Sequence, residues 1–100
     1  MSCPFCEFDP ARLLLESPNA IVLLDGFPSS EGHALVVPRV HVGSTFALTL
    51  TVYLELFELV RSARTLLSER HGTSDFNVGI NDGTLAGQTI PHAHVHLIPR

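Results

Sequence analysis

One stretch of the sequence decides the fold and the chemistry: Gly87-Gln88-Thr89-Ile90-Pro91-His92-Ala93-His94-Val95-His96-Leu97-Ile98. Its three histidines stand at alternate positions of an apolar run, and a β-strand points successive side chains to opposite faces of its sheet. We therefore expect His92, His94 and His96 to line one face, and the apolar residues between them to line the other. Packing alone does not explain three histidines on one strand face, so the segment predicts a functional site.

Two kinds of chemistry fit these histidines. Taken alone they favour a metal site, because His-x-His on a strand is a common arrangement of zinc ligands. The preceding Gly87, Gln88 and Thr89 offer flexible backbone, an amide and a hydroxyl, which suit phosphate oxygens. A neutral imidazole is also a competent nucleophile near neutral pH, and phosphoryl transfer needs a nucleophile together with donors to the phosphate. The whole segment therefore favours phosphate chemistry.

The composition excludes several classes of protein. A chain of 100 residues fits one domain, expected to span residues 1–100, and the net charge of −4 disfavours bulk nucleic-acid binding. All 6 cationic side chains are arginines, which excludes a Schiff-base lysine or a P-loop lysine. No apolar run reaches the roughly 18 residues of a membrane span. The first residues do not resemble a secretory signal either, so we expect a cytoplasmic protein with reduced cysteines.

The spacing of apolar residues predicts an α+β domain, with a mostly antiparallel sheet and one main amphipathic helix. The helix is expected over residues 51–71, with Thr49 or Thr51 as its amino-terminal cap and Gly72 at its end. Strands are expected over residues 20–25, 33–37, 76–81 and 92–98, and a short helical turn over residues 12–16. Because a short chain buries a modest core and sheet edges need covering, we expect a homodimer formed through the helix and the strand 76–81.

Several motifs, in this order, resemble the histidine-triad superfamily of nucleotide hydrolases and transferases. They are Cys3-Pro4-Phe5-Cys6, Leu24-Asp25-Gly26-Phe27-Pro28, Gly32-His33-Ala34-Leu35-Val36-Val37-Pro38, Arg39-Val40-His41, Asn81-Asp82-Gly83 and the histidine run itself. The resemblance implies a hydrolase that binds a purine nucleotide and cleaves at its α-phosphate through a phosphohistidine intermediate. It is closest to the dinucleoside polyphosphate hydrolase-like branch. The alternatives are an adenosine phosphoramidate hydrolase, a non-catalytic nucleotide-binding protein, and a metalloenzyme that uses all three histidines as ligands.

The resemblance also implies roles for single residues. His94 matches the nucleophile, the main-chain carbonyl of His92 orients it, and His96 matches the histidine that contacts the scissile phosphate. The transferase branch has glutamine at the last of these positions, so histidine there favours hydrolysis. The implied substrate-binding residues are Asp25 at the ribose, with Asn81, Gly87, Gln88, Thr89, Phe5, Phe8 and Leu23 around the phosphate and the base. Asp25 could instead only form its turn, the apolar residues could be plain core, and His33, just behind the family's site, could be a core histidine.

Cys3 and Cys6 are compatible with two free thiols or with half of a zinc site. A redox pair is disfavoured, because the expected order of strand and helix around it is absent. In zinc-bearing members of the family, the other ligands come from the positions of His41 and His92. The resemblance therefore implies a structural zinc that ties the amino-terminal segment to the triad.

Overall fold

The computed structural model describes residues 3–100, and in this range the chain forms one antiparallel sheet of five strands in the order β1-β2-β3-β5-β4. Met1 and Ser2, and the part of the expected domain that covers them, lie outside the described residues. The elements are β1 Leu13–Glu16, β2 Ala20–Leu24, β3 Ala34–Pro38, α1 Leu50–His71, β4 Phe76–Gly79 and β5 Val95–Pro99. The α+β class expected from the sequence is confirmed.

Helix α1 begins and ends close to its predicted limits. The Thr49 hydroxyl accepts a hydrogen bond from the main-chain N–H of Val52, and Gly72 ends the helix in the left-handed conformation, with φ of 63°. The buried side of the helix consists of Leu56, Leu59, Val60, Ala63 and Leu67, which pack on one face of the sheet. No helix within residues 3–100 is long and apolar enough to cross a membrane.

The two faces of the sheet have different coverings, because side chains alternate along each strand. On β3, Val36 packs in the cluster under α1, whereas Leu35 packs with Phe5 on the opposite face. On β5, Val95 joins the cluster under α1, and His96 pairs with Leu35 across the strands. The triad strand therefore presents His96 on the face that α1 leaves open.

The secondary structure differs from the sequence prediction in one element and at several element boundaries. The prediction of a helical turn over residues 12–16 is wrong. Leu13–Glu16 is β1, an edge strand, because pairing with β2 overrides the helical preference of its leucines. The last strand begins at Val95 instead of His92, because the main-chain N–H of Ala93 donates to the carbonyl of Val42, outside the sheet. β4 ends at Gly79, two residues before its predicted end at position 81.

Candidate functional site

The centre of the candidate site is His94, whose side chain is buried just before β5. Its Nδ1 atom lies 2.8 Å from the main-chain oxygen of His92. A carbonyl oxygen only accepts hydrogen bonds, so Nδ1 of His94 carries the proton and donates it. The Nε2 atom of the neutral ring then has a free lone pair, which is the nucleophilic form of imidazole.

Two more histidines, His33 and His96, stand beside His94. The rings of His94 and His96 are 4.9 Å apart between centroids, and Nδ1 of His96 lies 3.0 Å from Nε2 of His33. Burial is the largest cause that places the pKa of His33 and of His96 below the usual value of histidine. Both rings are therefore neutral at physiological pH.

A cavity of about 210 Å³ opens in front of these rings. It is lined by Phe5, Asp25, Phe27, Leu35, Thr89, Ile90, His94 and His96. The fold thus brings together the expected nucleophile, its neighbouring histidine, the carboxylate, the hydroxyl and one of the two expected phenylalanines. An apolar wall with a few convergent polar groups is the usual lining of a small-molecule site.

Asp25 makes the contact of a turn-forming residue and also lines the cavity. Its Oδ1 accepts a hydrogen bond of 3.0 Å from the main-chain N–H of Phe27, which is the contact of a turn-forming residue. Its Oδ2 lies 3.4 Å from Nδ1 of His33, and the residue lines the cavity. The carboxylate is therefore fixed by its own turn and still available to a ligand.

Gln88 lies outside the cavity and fastens loops to one another. Its amide nitrogen donates to the carbonyls of Gly43 at 2.8 Å and Ile90 at 3.0 Å, and its amide oxygen accepts from the N–H of Gly83 at 2.8 Å. These contacts are all with main-chain atoms. In this structure Gln88 shapes the loop that carries Thr89 and Ile90.

The other expected substrate residues lie around the cavity or beneath it. Asn81 lines a second cavity of about 320 Å³ on the β4 side of His96. Gly87 turns the loop with φ of 95°, a conformation that glycine adopts readily. Leu23 is buried and Phe8 is partly buried, and both pack with Phe5, so they support the wall of the cavity as core residues.

Three lining residues were not expected from the sequence, and one of them, Leu35, is a buried core residue of β3. Phe27 is 94% exposed and borders the cavity from the loop after β2, and Ile90 borders it from the loop before the triad. The signal for Phe27 was its place two residues after Asp25, since a turn at the carboxylate returns the following side chain toward the same site. Ile90 precedes the proline of the triad segment and offered no separate signal.

A separate cluster joins Cys3, Cys6, His41 and His92, whose ligand atoms all lie within 4.8 Å of one another. Nδ1 of His92 is 3.4 Å from the Cys3 sulfur, Nδ1 of His41 is 3.3 Å from the Cys6 sulfur, and the two nitrogens are 3.1 Å apart. Ligands at about 2.0–2.3 Å from a tetrahedral ion stand roughly 3.3–3.8 Å from one another. The two sulfur–nitrogen distances lie in this range and the nitrogen–nitrogen distance lies just below it, so the cluster could bind a metal ion.

The far side of the His92 ring also suits a metal ligand. Nε2 of His92 lies 2.8 Å from the carbonyl oxygen of Pro38, so Nε2 donates its proton there and Nδ1 keeps a lone pair toward the cysteines. A main-chain carbonyl commonly fixes ligand histidines in this way. Within residues 3–100, the ligand atoms of His92 group with the cysteines, not with His94 and His96. That division disfavours one metal bound by all three triad histidines.

Fold and site together define a histidine-triad domain. The family model described as the HIT domain matches residues 8–100, and the chain belongs to this family. The chain is 42% identical over 73 residues to the asymmetrical bis(5'-nucleosyl)-tetraphosphatase of Schizosaccharomyces pombe, covering 73% of the chain and 40% of that protein. It is 33% identical over 104 residues to the adenosine 5'-monophosphoramidase hnt1 of the same yeast, covering 100% of the chain and 75% of that protein.

Solved structures give the same assignment. A member of the HIT family from Bacillus subtilis superposes with a TM-score of 0.91 at 27% identity, covering 100% of this chain and 74% of that one. Another curated relative, the adenylylsulfatase HINT3 of Arabidopsis thaliana, is 31% identical over 102 residues and covers 98% of this chain. The chain spans about half the length of HINT3, 52%, and 40% of the tetraphosphatase.

Proposed function

We propose that this chain is a nucleotide hydrolase that cleaves at the α-phosphate of adenine nucleotides through a covalent intermediate on His94. The observation that carries the proposal is the 2.8 Å contact between Nδ1 of His94 and the oxygen of His92, which places the lone pair of the neutral imidazole form on Nε2, in a buried site. The names of the three curated relatives support it, because each describes a nucleoside phosphate joined to a different leaving group.

The reaction has two displacements at one phosphorus. Nε2 of His94 attacks the α-phosphorus, an N–P bond forms, and the bond from phosphorus to the leaving group breaks with its electron pair on the leaving group. Water then attacks the same phosphorus, the N–P bond breaks, and the nucleoside monophosphate leaves. The two protons of water are shared between the new phosphate and the departed group, and His94 returns to its first state.

The cavity residues supply binding and orientation. We assign the Asp25 carboxylate to the ribose hydroxyls, because a carboxylate accepts hydrogen bonds from a vicinal diol. Phe5 and Phe27 form an apolar wall for the base, and Thr89 and His96 direct polar hydrogens toward phosphate oxygens. The loop glycine at position 87 and the amides of Gln88 and Asn81 then keep this arrangement in place.

The leaving group is assigned to the second cavity, beside His96. Gly79 pairs with His96 across the strands and has no side chain, so the cavity of about 320 Å³ stays open between Asn77 and Asn81. A cavity of this volume lies at the lower end of the range for small-molecule sites, and we assign the second nucleotide of a dinucleoside polyphosphate to it. We therefore favour that class, with adenosine phosphoramidate as the second candidate because the same triad would cleave it.

The cysteine cluster is assigned to one structural zinc ion, held by Cys3, Cys6, His41 and His92. Zinc bound there would supply folding energy and no reaction chemistry, since a closed site with four protein ligands has no open position. It would tie the amino-terminal segment to the residue whose carbonyl orients His94. Such a site needs reduced thiols, which favours a cytoplasmic location.

A homodimer is proposed as the working form. Within the described residues β4 pairs only with β5, so its outer edge is free to meet a second copy. Val78 on this strand and Leu50 and Leu54 on α1 are large apolar residues that are more than half exposed. Pairing through these two surfaces would cover them and would add a core to a short chain.

The proposed function is tested by assaying diadenosine tetraphosphate and adenosine 5'-phosphoramidate side by side with the wild-type chain and a His94→Asn control. We expect the wild type to release AMP from the dinucleotide, together with ATP, and the variant to release none. Turnover of the phosphoramidate alone would replace the first candidate by the second. No turnover of either substrate, with AMP still bound, would leave a non-catalytic nucleotide-binding protein.

A further inference from the structure

We propose that His33 is a positioning residue that fixes which nitrogen of His96 carries the proton, so that His96 presents an N–H to the substrate phosphate. The sequence left His33 undecided between the core and the site. The side chain is buried, and its ring lies behind His96, with 5.2 Å between centroids. The inference rests on the proposed function, because the substrate phosphate is the group that would accept the hydrogen bond from this N–H.

The argument begins at the loop between β2 and β3. The main-chain N–H of Ser29 lies 3.0 Å from Nδ1 of His33. A main-chain N–H can only donate, so Nδ1 of His33 accepts and carries no proton. The proton of the neutral His33 ring is therefore on Nε2.

The same reasoning carries over to the next ring. Nε2 of His33 lies 3.0 Å from Nδ1 of His96, and its proton makes it the donor of this hydrogen bond. Nδ1 of His96 then accepts, and the proton of the neutral His96 ring is on Nε2. Because Nδ1 is occupied by His33, Nε2 is the ring nitrogen left for a ligand.

The Asp25 carboxylate is the group that could reverse this order. Its Oδ2 lies 3.4 Å from Nδ1 of His33 and would favour a proton there. In that case His33 would accept from His96, and His96 would offer the phosphate a lone pair, which repels it. The shorter contact from Ser29 favours the first arrangement, and burial, which keeps the pKa of His33 below its usual value, favours a ring with one proton.

The result is a complementary pair of neighbouring rings. His94 turns a lone pair toward the cavity because its Nδ1–H donates to the His92 carbonyl, and His96 turns an N–H toward it because His33 donates to Nδ1 of His96. Attack at phosphorus needs the lone pair, and the charge that develops on the phosphate oxygens needs the donor. His33 thus assigns different tasks to two chemically identical side chains.

The test is nitrogen-15 NMR of the imidazole rings, with His96 assigned by its loss in His96→Asn. We expect the wild type to carry the His96 proton on Nε2, and His33→Gln to keep it there, because the glutamine amide still donates. His33→Met removes the donor, so we expect a mixture of tautomers and a kcat about tenfold lower, with a smaller change in KM. Should the methionine variant fail to fold, the tautomer of His96 in the wild type and in the glutamine variant tests the inference.

A His96 proton found on Nδ1 in the wild type would overturn the inference. Turnover together with that result would leave the proposed function intact. Absence of turnover with the proton on Nε2 would instead overturn the proposed function and leave the assignment of the tautomer standing.

Discussion

His92 contacts His94 and the cysteine cluster at the same time: its main-chain oxygen lies 2.8 Å from Nδ1 of His94, and its own Nδ1 lies 3.4 Å from the Cys3 sulfur. The two sites therefore share one residue, although they use different atoms of it. Loss of the metal should act on the nucleophile through the position of a carbonyl, whereas loss of the nucleophile should leave the metal in place. The first two predictions use this asymmetry.

Replacing His94 by asparagine should lower turnover by at least about 1,000-fold, because asparagine cannot form the proposed covalent intermediate. Affinity for AMP should change by only a few fold, since the base, ribose and phosphate contacts come from other residues. Steady-state kinetics and calorimetric titration with AMP measure the two effects. His71→Asn, at the end of α1 and outside the lining of this cavity, is the matched control and should keep full activity.

Replacing Cys6 by serine should remove the metal and lower the stability of the chain. Elemental analysis should find about one zinc per wild-type chain and far less in the variant. A loss of about 2 kcal/mol would lower the melting temperature by roughly 10 °C in a domain of this size. The rate per folded molecule should fall less than in His94→Asn. The zinc assignment would be disproved if the wild-type protein contained no metal and a chelator left its melting temperature unchanged.

Replacing Gly79 by valine should separate the two candidate substrate classes. A side chain at this position would enter the cavity beside His96, where an added Cβ meets no atom within 4 Å, and β-branched residues suit a strand. We expect KM for diadenosine tetraphosphate to rise about tenfold, and KM for adenosine phosphoramidate to stay nearly constant. Equal effects on both substrates would mean that the leaving group lies elsewhere. Gly43→Val, also in open space, is the control.

Replacing Val78 by lysine should convert a dimer into a monomer, because the change puts a charge on the free edge of β4. Light scattering at micromolar concentration should give twice the chain mass of 10.9 kDa for the wild type and the single mass for the variant. Leu85→Lys is the control, since this residue is fully exposed but belongs to neither proposed surface. A wild-type monomer with full activity would contradict the proposal.

Stability should fall as the pH drops below about 6.5, the ordinary pKa of histidine. Burial lowers the pKa of His33 and His96 in the folded state, so between that lowered value and 6.5 the unfolded chain binds more protons. Each extra proton makes the free energy of unfolding decrease by at most about 1.4 kcal/mol per pH unit. The free energy of unfolding, measured with urea at several pH values in this range, should depend less steeply on pH for His33→Gln than for the wild type.

The sequence predicted most of the fold because the strong patterns were long. The helix, with its threonine cap and its final glycine, follows directly from periodicity and capping chemistry. The strand Leu13–Glu16 was mistaken for a helical turn because three successive leucines carry no alternation and no β-branched residue. Only its pairing with β2, a contact within the sheet, makes it a strand.

The site was predictable in its residue types and less so in its contacts. The cavity does collect His94, His96, Asp25, Thr89 and Phe5, all proposed from sequence. The contact of Gln88 with the carbonyl of Gly43 could not be foreseen, because it joins segments that are 45 residues apart in sequence. The arrangement behind His96 was also hidden, since it depends on the direction of a single main-chain N–H, that of residue 29.

The stereochemical course at phosphorus tests the central claim most directly. A substrate with a chiral α-phosphorothioate, cleaved in oxygen-18 water, reports whether displacement occurs once or twice. Attack by His94 followed by attack by water inverts the centre twice, so the account predicts net retention of configuration. Net inversion would show that water attacks the substrate directly, and it would contradict a covalent intermediate on His94.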